Sequence, residues 1–179
     1  MSPQERFTNF MKGYFVKQPI SIIEIGTASG LWTEHVLRNY PKVKILYTID
    51  PYKHFSGEGY ESGRPQEWHD QIKAVADKRL DNKYDNLVRY ICTSEEAFAI
   101  FDYYDTRVDV VYIDGNHNEK YVDFDVDRYY RFVKYGGIFA GHDYNLPQVK
   151  KAVDDKFGDQ VRIFKEQRIW WVIKKDMPL

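Results

Sequence analysis

Ile22-Ile23-Glu24-Ile25-Gly26-Thr27-Ala28-Ser29-Gly30 is the stretch that decides the fold of this chain, and Tyr47-Thr48-Ile49-Asp50 follows it further along. The first stretch is an apolar run that ends in Gly-x-x-x-Gly and leads into Leu31-Trp32-Thr33. This pattern fits a buried parallel strand, a tight turn and a helix, and Asp50 then ends the next strand. Together the two stretches predict a nucleotide-binding strand and turn.

The residue types in this turn favour an adenosine-like ligand that carries a positive charge. Gly26 and Gly30 allow the backbone to approach a ligand, because glycine has no Cβ. Glu24 can accept a hydrogen bond from an ammonium group, and Asp50 suits the two hydroxyls of a ribose. A dinucleotide-binding turn would have glycine in place of Ala28, and Glu24 would repel a pyrophosphate. S-adenosylmethionine carries a sulfonium and an amino acid group, so it fits an acidic turn; an ordinary strand-to-helix turn without a ligand is the alternative.

The composition predicts one α/β domain over residues 1–179, because a chain of this length with 43% hydrophobic and 30% charged residues can bury a full core. The formal net charge of −1 provides no general attraction for nucleic acid or an anionic membrane. The expected partner is a small molecule or a glycan, and a homo-oligomer is compatible with the sequence. The chain starts without a basic leader and has no apolar run of membrane-spanning length, which predicts a cytoplasmic protein. The only cysteine, Cys92, is predicted to be a core thiol.

Short apolar runs alternate with longer amphipathic segments along the chain, which is typical of repeated βαβ units and a mostly parallel sheet. The predicted strands cover residues 20–25, 44–49, 87–92, 108–113, 137–142, 160–165 and 168–174. Only Glu166-Gln167 separates the last two, and so short a connection indicates an antiparallel hairpin. The sequence therefore predicts a Rossmann-like α/β fold with seven strands, helices on both faces and an antiparallel last strand.

Two sequence signals predict where helices begin. Ser2 and Glu5 have the spacing of a capping box, which predicts a first helix that runs to about Gly13. Ser94 is predicted to be the N-cap of a helix over 95–101, and its position after a strand also suits contact with an adenine ring.

The segment between Asp50 and Pro65 contains several glycines and aromatic residues. A long loop at the tips of strands is predicted to cover a ligand, and Tyr52, Phe55 and Tyr60 could stack on the apolar faces of a sugar. A merely flexible connection is the alternative.

Asp123-Phe124-Asp125-Val126-Asp127 resembles patterns that bind calcium or nucleotide sugars. Calcium is excluded, because Arg128 occupies the position that needs glycine. The segment falls in an expected crossover helix, so its carboxylates are predicted to form a solvated helix face.

A second group of polar residues follows two later strands. Asp114 and His117 come after the strand at 108–113, and His142-Asp143 ends the strand that Gly136-Gly137 introduces as a turn after a helix over 119–133. Because ligands of open α/β sheets bind outside the carboxyl ends of the strands, we expect these side chains to converge with Asp50.

The group offers two kinds of chemistry. Asp114 and Asp143 could bind Mg²⁺ or Mn²⁺ with His142 as a third ligand. Alternatively, Asp114 binds the amino group of the cofactor and His142 is structural. His117 is the better candidate for a general base, because a neutral imidazole can accept a proton near pH 7; it could also cap the following helix or face water.

These motifs, Glu-Ile-Gly-x-x-x-Gly at 24–30, Asp50-Pro51-Tyr52, Ile113 to His117 and Gly136 to Tyr144, resemble those of the class I S-adenosylmethionine-dependent methyltransferases. Within that class the chain is most similar to the macrocin-type sugar O-methyltransferases, and the resemblance covers nearly the whole chain. His142 is a departure, because members of this group can carry a glutamate there.

The resemblance implies a complete site. S-adenosylmethionine would be held by Glu24, Gly26, Thr27, Ser29, Gly30, Asp50, Ser94 and Asp114. Catalysis would involve His117 as base, with Asp114 and His142. A metal ion, Mg²⁺ or Mn²⁺, would by this resemblance be held by Asp114 and Asp143, and His142 is the third ligand that the residues themselves suggest.

The predicted reaction is methyl transfer to a hydroxyl of a sugar or glycan, for example a deoxysugar such as rhamnose. A methyltransferase acting on phenolic or other natural products is one alternative. A partner subunit that binds S-adenosylmethionine without catalysis is another. Methylation of RNA or DNA lacks the basic composition that it would require.

Overall fold

A computed structural model describes residues 1–56 and 63–175 of the chain as alternating strands and helices. The strands are β1 (Ile20–Ile25), β2 (Val43–Ile49), β3 (Leu87–Tyr90), β4 (Val108–Ile113), β5 (Val133–Gly141), β6 (Arg162–Phe164) and β7 (Ile169–Ile173). The helices are α1 (Pro3–Tyr14), α2 (Leu31–Asn39), α3 (Gln66–Leu80), α4 (Ser94–Tyr103), α5 (Glu119–Tyr129) and α6 (Pro147–Phe157). Among these described segments, no helix has the length and apolar character that crossing a membrane requires.

The strands form one sheet in the order β3-β2-β1-β4-β5-β7-β6. The pairs on both sides of β1 are parallel, as are β2 with β3 and β4 with β5. β7 runs antiparallel to its neighbours β5 and β6. The predicted Rossmann-like sheet with a reversed last strand is therefore confirmed. The strand order reverses direction between β1 and β4, which creates a switch point at their carboxyl ends.

The sheet is covered on both faces, so β1 is buried on both sides and its sequence is almost continuously apolar. Ile20 and Ile22 pack with the residues of α1 and α2. Ile23 and Ile25 point the other way and pack with α4, α5 and α6. Cys92 is partly buried against this second core. The two cores fix the positions of β1 and β4 relative to each other. They therefore also position the residues that follow these strands.

The fifth strand begins earlier than the sequence predicts. β5 starts at Val133, so Gly136-Gly137 lie inside the strand and the predicted turn there is wrong. The pairing of β4 with β5 shifts register at this point, Gly136 has a φ of 72°, and a Cβ on Gly137 would lie 2.7 Å from a backbone oxygen. The two glycines therefore form an irregularity within the strand, and α5 ends at Tyr129, followed by a short 3-10 turn, instead of continuing to 133.

Both predicted helix starts correspond to capping boxes, but one is displaced by a residue. Ser2 and Glu5 cap α1 as predicted. The N-cap of α4 is Thr93, whose hydroxyl accepts from the Glu96 backbone N–H while the Glu96 carboxylate accepts from the Thr93 N–H. Ser94 is the first helical residue and not the cap, which leaves its side chain available for other contacts.

Candidate active site

A cleft opens at the carboxyl ends of β1, β2 and β4, beside the N-terminus of α4. This is the switch point of the sheet, where open α/β sheets bind their ligands. Four of the predicted cofactor residues line it: Gly26, Asp50, Ser94 and Asp114. The other four are not among the residues that line the cleft: Glu24 lies in β1, and Thr27, Ser29 and Gly30 belong to the turn that follows it.

Both glycines of the turn are required by contacts within the protein. Gly26 has a φ of 90°, and a Cβ there would lie 1.9 Å from the backbone oxygen of Asp114. Gly30 has a φ of 75°, and its Cβ would lie 2.7 Å from the side chain of Leu80 at the end of α3. The glycines therefore bring the turn close to the end of β4 and to α3; Gly26 also lines the cleft, and its close approach to a ligand stays a prediction.

Thr27 and Ser29 act through their backbone groups. The Thr27 carbonyl accepts a hydrogen bond of 2.8 Å from the Gly30 N–H, which closes the turn. The Ser29 carbonyl accepts from the guanidinium of Arg79, which also pairs with Glu34 at 2.9 Å. These bonds connect the turn to α2 and α3.

Glu24 is buried, and its carboxyl accepts a hydrogen bond from the Thr33 hydroxyl on α2. Burial raises the pKa of Glu24 well above its ordinary value; Thr33 opposes this rise, while Asp114 and Asp50 add to it. Burial therefore disfavours the ionised form of Glu24 in the protein without ligand. Its contact with a cofactor ammonium stays a prediction.

Asp50 organises the tip of β2. One carboxylate oxygen accepts from the Ala28 N–H at 2.8 Å and the other from the Tyr52 N–H at 2.9 Å. The Tyr52 hydroxyl in turn donates to the Ala28 carbonyl at 2.9 Å. Ala28 and Tyr52 both have positive φ values, so Asp50 stabilises two strained turns at once. Burial raises the pKa of Asp50, against the two backbone hydrogen bonds. Tyr52 belongs to this network and also lines the cleft, and its stacking on a sugar stays a prediction.

The far end of the cleft is formed by α4 and α5. Thr93, Ser94 and Glu95 line it from α4, and Asp125 lines it from α5. Asp125 is only 2% exposed, so the prediction of a solvated helix face is wrong for this residue, although Asp123 and Asp127 are exposed. Its burial could have been predicted, because residues 122, 125, 126 and 129 form the helical stripe that faces the core.

Phe55 and Tyr121 extend the wall of the cleft. Their rings meet edge to face with centroids 5.6 Å apart, and both residues line the cleft. The third aromatic residue predicted for this loop, Tyr60, lies outside the described residues.

The polar group after β4 and β5 converges as predicted. Ile113 pairs with Gly141, so the residues that follow them, Asp114 and His142, leave adjacent strands at the same level. The Asp114 carboxylate lies 3.6 Å from His142 Nδ1. The Asp143 carboxylate is 3.1 Å from both His142 Nδ1 and His117 Nε2. Two carboxylates and two imidazoles therefore form one cluster at the rim of the cleft.

Ionisation within this cluster follows from its hydrogen bonds. Burial raises the pKa of Asp143, but the bonds with His117 and His142 outweigh it and hold this pKa well below its ordinary value. An ionised carboxylate only accepts hydrogen bonds, so His117 carries its proton on Nε2 and Nδ1 is its basic nitrogen. Burial lowers the pKa of His142, but Asp143 and Asp114 raise this pKa by more than burial lowers it, so the net shift is a rise.

The same cluster could hold a cation. Among the described residues, Asp114, His117 and Asp143 offer ligand atoms that all lie within 4.8 Å of one another. This set has His117 where the sequence predicted His142; His142 Nδ1 lies 3.6 Å from the Asp114 carboxylate and 3.1 Å from that of Asp143. His117 can therefore serve as a base or as a ligand, but one imidazole nitrogen cannot do both at once.

Comparisons with known proteins agree with this architecture. Residues 23–144 match a family described as a methyltransferase domain. A curated relative, "Uncharacterized protein R132" of Acanthamoeba polyphaga mimivirus, is 30% identical over 149 residues, which cover 81% of this chain and 62% of that protein. This chain thus spans less than two thirds of the relative's length.

Solved structures share the fold. CalS11, a calicheamicin methyltransferase also described as a TDP-rhamnose 3'-O-methyltransferase, superposes with a TM-score of 0.67 and 14% identity over 96% of this chain and 78% of its own. SMU.776 complexed with SAH gives a TM-score of 0.55 and 10% identity over 95% of this chain and 48% of its own. At these identities the likeness concerns the fold alone.

Proposed function

This chain belongs to the family of methyltransferase domains, as its sequence motifs predicted, and we propose that it is an S-adenosylmethionine-dependent O-methyltransferase that acts on a hydroxyl of a sugar or glycan. The observation that carries this proposal is the His117–Asp143 pair, with a 3.1 Å contact, beside Asp114 at the rim of the cleft. Methyl transfer to a hydroxyl requires a base that takes up the hydroxyl proton, and His117 is placed to be that base.

The cleft suits S-adenosylmethionine by its shape and charge. Among the described residues, Asp50, Glu95 and Asp114 line it together with Lys53, so a positively charged ligand is favoured over a phosphate-bearing one. The bound cofactor would supply a methyl group carried on a positively charged sulfur. Asp50 would hold the ribose at the tip of β2, and Ser94 would contact the adenine ring.

His117 would accept the proton of the acceptor hydroxyl. Asp143 holds the Nε2–H, which orients the ring with Nδ1 as the basic atom and stabilises the imidazolium that forms. The Gln148 side chain donates a 2.9 Å bond to the His117 carbonyl, which ties the loop after β4 to α6. This support keeps His117 at the rim when the acceptor binds.

A divalent cation is an accessory part of the proposal. Asp114, His142 and Asp143 would hold Mg²⁺ or Mn²⁺, and the ion would orient the hydroxyl and favour its deprotonation. In this arrangement His117 remains available as the base. Removal of metal with a chelator should then slow transfer, and restored Mn²⁺ or Mg²⁺ should recover it; a rate that a chelator leaves unchanged would remove the metal from the mechanism.

A sugar acceptor is proposed on two grounds. CalS11, which shares the fold, is described as acting on TDP-rhamnose. The edge-to-face pair of Phe55 and Tyr121 adds an aromatic wall to the cleft, and aromatic rings pack on the apolar faces of sugars.

The test measures transfer of labelled methyl from S-adenosylmethionine to deoxysugar-terminated oligosaccharides, nucleotide-linked deoxysugars and catechols. We expect transfer to a sugar hydroxyl, and activity on catechols alone would overturn the sugar assignment.

His117→Ala should lower the rate by roughly 10²–10⁴-fold without changing cofactor affinity. His35→Ala, on α2 away from the cleft, is the matched control and should keep the full rate. An unchanged rate in His117→Ala would contradict the role of His117 as the base. If the wild-type protein transferred methyl to none of these acceptors, a non-catalytic subunit would be favoured.

A further inference from the structure

Asp125 is a carboxyl group that the proposed chemistry does not use. It is 2% exposed, it lines the cleft from α5, and its Oδ1 is buried without a hydrogen-bond partner among the described residues. A buried carboxyl oxygen without a partner is costly to a fold, so such a group in a ligand cleft calls for a partner that arrives with the ligand.

Among the described residues, the groups that act on Asp125 are a hydroxyl and a second carboxylate, and none of them is a cation. The Ser94 side chain hydrogen-bonds to it from α4, and Glu95 from the same helix adds a second negative charge. Tyr129 lies on the same helix, and its hydroxyl donates to the Ser94 carbonyl at 2.6 Å. Cys92, after β3, acts on Tyr129 and is a further titratable group of this region. Nothing in this set stabilises a negative charge except Ser94.

This environment favours the neutral acid. Burial raises the pKa of Asp125 to about 7, with Glu95 adding to the rise and the Ser94 hydrogen bond opposing it. Below that pH the group is a carboxylic acid with one O–H donor and one carbonyl acceptor, and above it only acceptors remain. The two forms complement different ligands.

We propose that Asp125, as a neutral carboxylic acid, binds the adenine base of the cofactor and selects it over other bases. Adenine presents an amino donor beside a ring-nitrogen acceptor, and a carboxylic acid offers the matching acceptor and donor. An ionised carboxylate lacks the donor and would leave the ring nitrogen opposite a negative charge. This inference rests on the proposed function, since it assumes an adenosyl cofactor in the cleft.

The consequence is a cofactor affinity that falls as pH rises through neutrality. If only the neutral acid binds, the affinity should fall by about 30-fold between pH 5.5 and pH 8.5, because the protonated fraction falls by that factor. Asp125→Asn should behave differently, because an amide offers the same donor and acceptor at every pH. That variant should keep the low-pH affinity throughout the range.

The test is calorimetric titration with S-adenosylhomocysteine at pH 5.5 and 8.5 on the full chain. Wild type should lose affinity at the higher pH, and Asp125→Asn should not. Asp125→Leu should bind weakly at both values, and circular dichroism reports whether each variant folds. Asp123→Asn, an exposed carboxylate on the same helix, is the matched control and should follow wild type.

Two results would overturn the inference while leaving the proposed function in place. One is wild-type binding with the same affinity at both pH values. The other is a pH dependence that persists in Asp125→Asn, which would assign it to another group. An absence of binding to folded wild type at either pH would instead overturn the cofactor itself, and with it both proposals.

Discussion

The Asp50 side chain stabilises the two turns that follow β1 and β2 at the edge of the cleft. Its two oxygens accept from the backbone of Ala28 and Tyr52, and these residues belong to different turns, after β1 and after β2. Both turns contain a residue with positive φ, a conformation that costs free energy for residues other than glycine. The carboxylate compensates for that cost, so its structural role and any contact with ribose depend on the same atoms.

Replacement of Asp50 by asparagine should therefore destabilise the protein before any ligand is added. The amide has one acceptor oxygen, so one of the two backbone N–H groups would face an NH₂ donor and lose its partner. We expect the free energy of unfolding in urea to fall by roughly 1–3 kcal/mol. Asp85→Asn, an exposed carboxylate, should change it by less than about 0.5 kcal/mol. An unchanged unfolding midpoint in Asp50→Asn would contradict this role.

At this scale the sequence predicts residues that end strands better than residues that lie on helices. Asp50, Asp114, His142 and Asp143 were predicted to converge, because parallel strands deliver their carboxyl ends to one edge. Asp125 was assigned to solvent from its charge, although the helical spacing of its apolar neighbours places it on the buried face. The charge of a residue indicates its usual environment, whereas the periodicity of the helix gives its actual one.

Among the elements, the N-terminus of α4 separates two functions between neighbouring residues. Thr93 caps the helix with Glu96, and Ser94 contacts Asp125 in the cleft. The sequence analysis predicted both tasks for Ser94, because serine is a common cap and sequence patterns locate a helix start only to within a residue or two.

Thr93→Ala and Ser94→Ala should therefore have different effects. Loss of the Thr93 hydroxyl should reduce stability by roughly 1 kcal/mol, because it leaves the N–H of Glu96 without its acceptor. Ser94→Ala should preserve the cap. Urea unfolding of both variants measures the difference, and a larger loss in Ser94→Ala would restore Ser94 as the residue that stabilises the helix start.

The junction of β1 and β4 is the second element that fixes the site. Gly26 leaves β1 so close to the backbone of Asp114 that a Cβ would overlap it. Gly26→Ala would also have to adopt a φ of 90°, so we expect it to lower the free energy of unfolding by roughly 2–4 kcal/mol.

Gly13→Ala provides the matched control for this substitution. Gly13 lies in α1 with no atom within 4 Å of an added Cβ, so alanine there should be neutral or stabilising by up to about 1 kcal/mol. If Gly26→Ala proved as stable as Gly13→Ala, the close approach of β1 to β4 would be contradicted.

The order of the elements was predictable from hydrophobic patterns, including the reversed last strand. The internal course of β5 was not, because two adjacent glycines are typical of a turn and equally compatible with an irregular strand. Pairing with β4 determines which of these forms, and that pairing involves residues distant in sequence.

Within the part of the chain that the structure describes, one sheet with two covered faces brings the acidic and basic side chains of the candidate site to the carboxyl ends of its strands. The two apolar cores hold that edge rigidly, and the described helices and loops around it contribute Ser94, Asp125 and the ring pair of Phe55 and Tyr121. The sequence indicated the donor through the acidic turn. It gave weaker information about the acceptor, since specificity for a hydroxyl depends on the shape of the cleft wall.

Calorimetric titration of the folded wild-type protein with S-adenosylhomocysteine and, in parallel, with NAD⁺ tests cofactor binding most directly. The acidic lining of the cleft predicts one S-adenosylhomocysteine bound per chain, with NAD⁺ at least about tenfold weaker, since a pyrophosphate beside Asp50 and Asp114 is disfavoured by roughly 1 kcal/mol or more. No heat of binding with S-adenosylhomocysteine, or NAD⁺ binding of equal or greater affinity, would contradict this account.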